Sequence, residues 1–179
     1  MDWPLAHRRA QDAFAGVLAG VTDDDLDRPT PCTDWDVRQL LTHVVAGNWL
    51  SAGRPGEPFA TDDAAAFVAS FTASTGPARD GFDAPGAVER DHVLPRRTIP
   101  GPVFVGLRTT DLLIHAWDLA RATGQPTDLD TALVAHCDSF ARRTMTSEFR
   151  GRHFAPARPA PPDGTAADVL AAFLGRIAT

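Results

Sequence analysis

The sequence predicts an all-α protein, and two kinds of observation point to that class. Apolar residues recur at three- and four-residue steps along most of the chain, and the stretches so patterned open on capping residues and close on glycine. No internal repeat and no linker-like composition divides the 179 residues. Residues 1–179 are therefore expected to form a single helical domain with a substantial core.

The first helix is expected from about Leu5 to Leu18, where Ala10, Ala13, Phe14, Val17 and Leu18 form a stripe. Asp23-Asp24-Asp25 then reads as a solvated turn. Thr33 with Asp36 resembles a capping box, with aspartate in place of the usual glutamate, and opens a second helix. That helix runs through Val37, Leu40, Leu41, Val44, Val45 and Leu50 to about Ala52, before Gly53, Pro55 and Gly56. A third helix, from about Asp62 to Ser74, carries Phe67, Val68 and Phe71 and ends ahead of Gly76-Pro77. The chain is irregular afterwards, with an extended stretch between Val88 and Ile99.

Gly101-Pro102 opens the fourth helix, because proline's missing donor has no partner in a first turn. It packs through Val103, Leu107, Leu113, Ile114 and Trp117 and stops at Gly124, with Pro126 just beyond. A fifth helix, from about Asp130 to Thr144, packs through Leu133, Val134, Cys137, Phe140 and Ala141. Residues 146–164 read as an irregular arm. Thr165 and Asp168 form a second capping-box pattern ahead of a short last helix, with Val169, Leu170, Phe173, Leu174 and Ile177 inward.

Composition excludes several functions. Net charge is −6, all 17 basic residues are arginine, and no basic cluster forms, which argues against nucleic acid as a partner. Without lysine or tyrosine, Schiff-base and phenolic acid–base chemistry drop out. No apolar run reaches membrane-spanning length and the first residues lack a signal-peptide layout, so a cytoplasmic protein with no membrane partner is expected. Cys32 and Cys137 are far apart, outside any Cys-x-x-Cys pair, and read as reduced thiols.

The chemistry-bearing pattern lies on the fourth helix. Asp111 and His115 are four residues apart and about 40° apart around the axis, with Asp118 about 20° from Asp111. A carboxylate and an imidazole so spaced can share one metal ion, but the same residues can be the wet face of an amphipathic helix, and spacing alone leaves both readings open. Of six histidines, His7, His92 and His153 sit among charged residues and are expected to be exposed. His136 can be core edge or surface. His43, between Leu40 and Gly47, and His115 lie among inward-facing residues of long helices. His43, Asp111 and His115 describe a three-ligand site with an open position, the arrangement of catalytic rather than structural zinc. Asp118 can accept the remaining N–H of His115. No zincin motif, serine elbow, phosphate loop or dinucleotide fingerprint competes with this set.

The residues from Thr30-Pro31-Cys32 through His43-Val44-Val45, the run from Asp111 to Ala120, and the closing Phe173-Leu174-Gly175-Arg176 resemble the DinB-like superfamily. The likeness is to the metal-binding domain of mycothiol-dependent maleylpyruvate isomerases and related metal-binding proteins. It implies a DinB-like four-helix bundle with a long irregular crossover, an extra helix and a short C-terminal helix. It also implies that His43, Asp111 and His115 hold a divalent metal, zinc as a rule, and that the cofactors include a low-molecular-weight thiol such as mycothiol. The isomerase has glutamate where Asp111 stands, and a further C-terminal domain where this chain has an arm and a short helix. The expectation therefore covers the metal centre and not maleylpyruvate as the substrate.

Two functional readings follow, beside a third in which the bundle is an apo remnant with His43 and His115 merely hydrogen-bonded in the core. In one, the metal activates a thiol for transfer or isomerisation of a small molecule. In the other, the bundle is a non-catalytic module that binds a metal or small ligand, or forms a homodimer.

Overall fold

A computed structural model describes residues 1–32, 35–94, 97–145, 150 and 155–178. The described residues form six α-helices and one small hairpin: α1 (Trp3–Leu18), α2 (Val37–Ser51), α3 (Ala64–Asp83), β1 (His92–Leu94), β2 (Arg97–Ile99), α4 (Gly101–Thr123), α5 (Thr131–Thr144) and α6 (Ala166–Phe173). The class is all-α, a bundle in which α1 packs chiefly on α4 and α2 chiefly on α3, with α2 also against α4. The α5 helix lies against α4, and α6 against both. β1 and β2 pair antiparallel with Val93 opposite Thr98, which gives the extended stretch before α4 its form. Among the described residues no helix is long and apolar enough to cross a membrane.

Every α-helix but α4, which opens on Pro100 and Pro102 without a side-chain cap, begins where a side chain can satisfy its free amides. Asp2 caps α1, Asp63 caps α3, and Thr165 with Asp168 forms the capping box of α6. In α2 the cap is Asp36 itself, boxed with Gln39, so the helix starts three residues later than a Thr33 cap would require. Thr33 lies outside the described residues. The α4 helix ends on Gly124 with φ of 69°, as its glycine stop predicts.

Four expectations are corrected. The α3 helix runs to Asp83, straight through Gly76-Pro77. An interior proline costs a helix about 3 kcal/mol, but the continuation buries Ala78 and Phe82 against neighbouring elements. Asp23-Asp24-Asp25 is a short 3-10 turn in which Asp23 and Asp24 are exposed as expected but Asp25 is not: Asp25 caps the turn through Thr22 and is buried, and Asp23 also accepts from the Ala64 amide. His7 is buried on the α1 stripe with its ring edge-on to Phe82, and His92 is half-buried, stacked on Phe104. Val169 and Ile177, expected inward, are exposed, because α6 lays Ala167, Leu170 and Ala171 against the core instead. His153 lies outside the described residues. Half-buried His136 is a core-edge residue whose ring meets Trp3.

The main core runs from Phe14 and Leu18 through Leu40, Leu41 and Phe67 to Leu113, Trp117 and Leu133, with Cys137 inside it. This packing fixes the spacing of α2 and α4, the two helices that bring His43, Asp111 and His115 together.

Candidate metal centre

On α4, the four- and three-residue steps put Asp111, His115 and Asp118 along one line, and α2 presents His43 to it. His43 Nε2 lies 3.0 Å from Asp111 Oδ2 and 3.3 Å from Oδ1. His115 Nε2 lies 3.4 Å from Asp111 Oδ1. One donor atom from each of the three residues falls within 4.8 Å of the others. Ligands bound at about 2.0–2.2 Å to one ion span such separations, so the donor set fits a divalent metal.

The supporting contacts run outward from these residues. His115 Nδ1 donates to Asp118 Oδ2 at 3.0 Å, which leaves Nε2 turned to Asp111. Asp118 is fully buried and is gripped from the other side by Arg176, Nε to Oδ1 at 3.3 Å and a terminal nitrogen to Oδ2 at 2.9 Å. Arg176 follows Gly175, whose φ of 94° turns the chain at the end of α6 where Ala155 packs close. Arg108, one turn before Asp111, donates to its Oδ2 at 3.1 Å.

The described residues that lead into α2 border the site. Thr30 and Trp35 pair backbone to backbone, the Thr30 hydroxyl donates to the Trp35 carbonyl at 2.9 Å, and Pro29 bridges Asp36. The Trp35 ring lies 4.7 Å from the His43 ring and 5.6 Å from the His115 ring. Cys32 forms a second close group with His115 and Asp118, again within 4.8 Å. Both Asp118 oxygens already accept from Arg176 and His115, so this second group offers no open carboxylate.

The charges reinforce one another. Burial works to raise the Asp111 carboxyl, but His43, Arg108 and His115 together hold it well below the usual carboxylate range. Burial works to lower His115, yet Asp111 and Asp118 overcome it and raise its pKa. Burial likewise opposes the Asp118 carboxylate, and Arg176 with His115 still keeps it low.

All three residues expected to be ligands thus come together. Three neighbours were not assigned a place at this site by sequence: Trp35, Cys32 and Arg176. All three sit within the stretches that carry the DinB-like resemblance, which is the signal that could have found them.

Residues 7–120 match the model of a family described as the mycothiol maleylpyruvate isomerase N-terminal domain. That span holds Cys32, His43, Asp111, His115 and Asp118 and stops short of Arg176. Two proteins of Mycobacterium tuberculosis, from strains CDC 1551 and H37Rv and both described as uncharacterised, are 48% identical to this chain. In each case the likeness covers 98% of this chain and 98% of the relative. No solved structure matches the chain.

Proposed function

Since this chain belongs to the mycothiol maleylpyruvate isomerase N-terminal domain family, a DinB-like family, we propose that it is a metal-dependent protein of thiol chemistry. His43, Asp111 and His115 hold a divalent ion, zinc in the first instance, and the small molecule it serves is transferred to, or isomerised with, a low-molecular-weight thiol such as mycothiol. The observation that carries the reading is the convergence of two imidazoles and one carboxylate within 4.8 Å, with Asp118 behind His115.

A bound zinc ion would lower the pKa of a thiol or water at its open position and polarise a carbonyl. The chain's own groups prepare that position. Asp118 fixes His115 in the tautomer whose Nε2 carries the lone pair, and Arg176 keeps Asp118 ionised and in place. Arg108 fixes the rotamer of Asp111, whose side chain is one methylene shorter than the glutamate of the isomerase. Trp35 packs beside both imidazoles; His115 is buried, whereas His43 keeps one edge toward solvent. Residues 1–179 act here as one domain, because Arg176, beyond the family match, completes the support of His115.

Metal analysis of the purified protein before and after reconstitution with zinc, followed by a thiol-transfer screen, tests the reading. One ion per chain and thiol-dependent turnover, both lost in His115→Ala, are the expected results. No stoichiometric metal in either sample overturns it. Metal without turnover leaves the non-catalytic, ligand-binding or dimerising module.

A further inference from the structure

Beneath the metal centre, two buried polar groups stand outside the contacts described so far. His7, on α1, is 1% exposed, and among the described residues neither of its ring nitrogens meets a hydrogen-bond partner. The Arg108 Nε–H on α4 is likewise buried and unpartnered, although the same guanidinium reaches Asp111. Other buried polar groups at this level of the bundle are satisfied. Asn48 donates to the Ser74 hydroxyl at 3.0 Å, the Ser51 hydroxyl donates to the Gly47 carbonyl, and Gln11 accepts from Arg79. The His7 ring stands edge-on to Phe82 at 4.8 Å, and Phe82 meets Phe104, one turn before Arg108 on α4. After burial, Arg108 is the largest influence on the imidazole, and its charge helps to keep the ring neutral. A neutral imidazole has one nitrogen free to accept, whereas an arginine Nε–H can only donate. Buried groups matched in this way, without a direct bond between them, are where an internal water is held.

We propose that His7 is a positioning residue for the metal centre: one buried water accepts from Arg108 Nε–H, donates to the unprotonated nitrogen of His7, and so fixes the guanidinium that holds Asp111. The guanidinium is then restrained at each of its nitrogens. Nη1 donates to Asp111 Oδ2 at 3.1 Å, Nη2 lies over Gly47 where a Cβ would meet it, and Nε is tied to α1. Without the tie to α1, the guanidinium can rock over Gly47 and draw the Asp111 carboxylate away from His43 and His115. Asp111 is a short side chain, so the place of its carboxylate follows the place of its partners. The first helix, which supplies no ligand, thereby sets the geometry of one. The effect on the metal rests on the metal reading above; the bridge between His7 and Arg108 does not.

The test uses the full chain and has a metal-free arm and a zinc arm. In the metal-free protein, heteronuclear NMR reads the Arg108 Nε–H, assigned by its disappearance in Arg108→Met. Slow exchange of this proton with solvent is expected in the parent and in His7→Gln, whose amide still accepts, and exchange about tenfold faster or more in His7→Leu. Zinc titration against a chromogenic chelator is expected to show binding about tenfold weaker in His7→Leu, the lower end for loss of a group behind a ligand, and within about twofold of the parent in His7→Gln. In an Arg108→Met background, His7→Leu should change zinc affinity by less than about twofold, because the link through which it acts is gone. Equal exchange of the Arg108 Nε–H in the parent and His7→Leu overturns the bridge. Unchanged zinc affinity in His7→Leu, or an equal loss with and without Arg108, overturns the positioning role and leaves His7 as packing alone. If no form binds zinc, the positioning role falls together with the metal reading, while the exchange rates still decide the bridge.

Discussion

Arg108 crosses α2 directly over Gly47, and a Cβ at position 47 would collide with its guanidinium. The glycine is what allows an α4 arginine to lie flat between the two ligand-bearing helices and reach Asp111. Gly47→Ala should displace Arg108, and overpacking of this kind costs about 1–3 kcal/mol. Urea unfolding measures the loss. A variant as stable as the parent would show that Arg108 has another place to go.

Asp118→Asn tests the support behind His115. The amide nearly preserves shape but removes the charge that the buried Arg176 needs, and it no longer fixes the tautomer. Loss of such a partner typically weakens metal affinity about 10- to 100-fold. Zinc titration should show that loss, and an unchanged affinity would mean that His115 is oriented by packing alone.

Arg176→Met leaves the fully buried Asp118 carboxylate with His115 as its remaining partner. Breaking a buried ion pair from one side costs about 3–5 kcal/mol. The drop in unfolding free energy should be recovered in part by Arg176→Met combined with Asp118→Leu, since an apolar pair leaves no stranded charge, although the His115 Nδ1–H then loses its acceptor at a cost of about 1–3 kcal/mol. A double variant as weak as the single one would argue that Arg176 acts mainly through its bond to the Leu174 carbonyl.

His7 gives the fold an acid sensitivity. Burial, with Arg108 and Arg79 adding to it, pushes its imidazole from 6.5 to about 3. The folded-state value is depressed, so the unfolded chain takes up a proton first as pH falls, and stability present above 6.5 is lost between 6.5 and about 3. The slope from this one group is at most about 1.4 kcal/mol per pH unit. His7→Phe should flatten the stability profile in that window by about one proton. An unchanged slope would mean that His7 is not the group being titrated.

How much of this was legible in the sequence depended on whether the signal was local. The line of Asp111, His115 and Asp118, the stop at Gly124 and the capping box at Thr165 are written in neighbouring residues, and the structure has them in those places. His7 carried a local signal as well, since it continues the stripe of Ala10, Phe14 and Val17, but the adjacent Arg8 and Arg9 masked it. The α3 helix ignores a proline because burial of Phe82 and Ala78 is a tertiary contribution that local breaker residues do not register. Arg176 reaches Asp118 across 58 residues, and Cys32 meets His115 from a different part of the chain, so no periodicity foretells either contact.

Trp35 also has an optical consequence. The chain has four tryptophans and no tyrosine, so its near-ultraviolet emission is purely that of indole. One of those indoles lies against both imidazoles of the centre. The difference between the parent and Trp35→Phe spectra isolates that ring, and anything that enters or leaves the space between His43 and His115 will be visible as light from the protein itself, without a dye or a label.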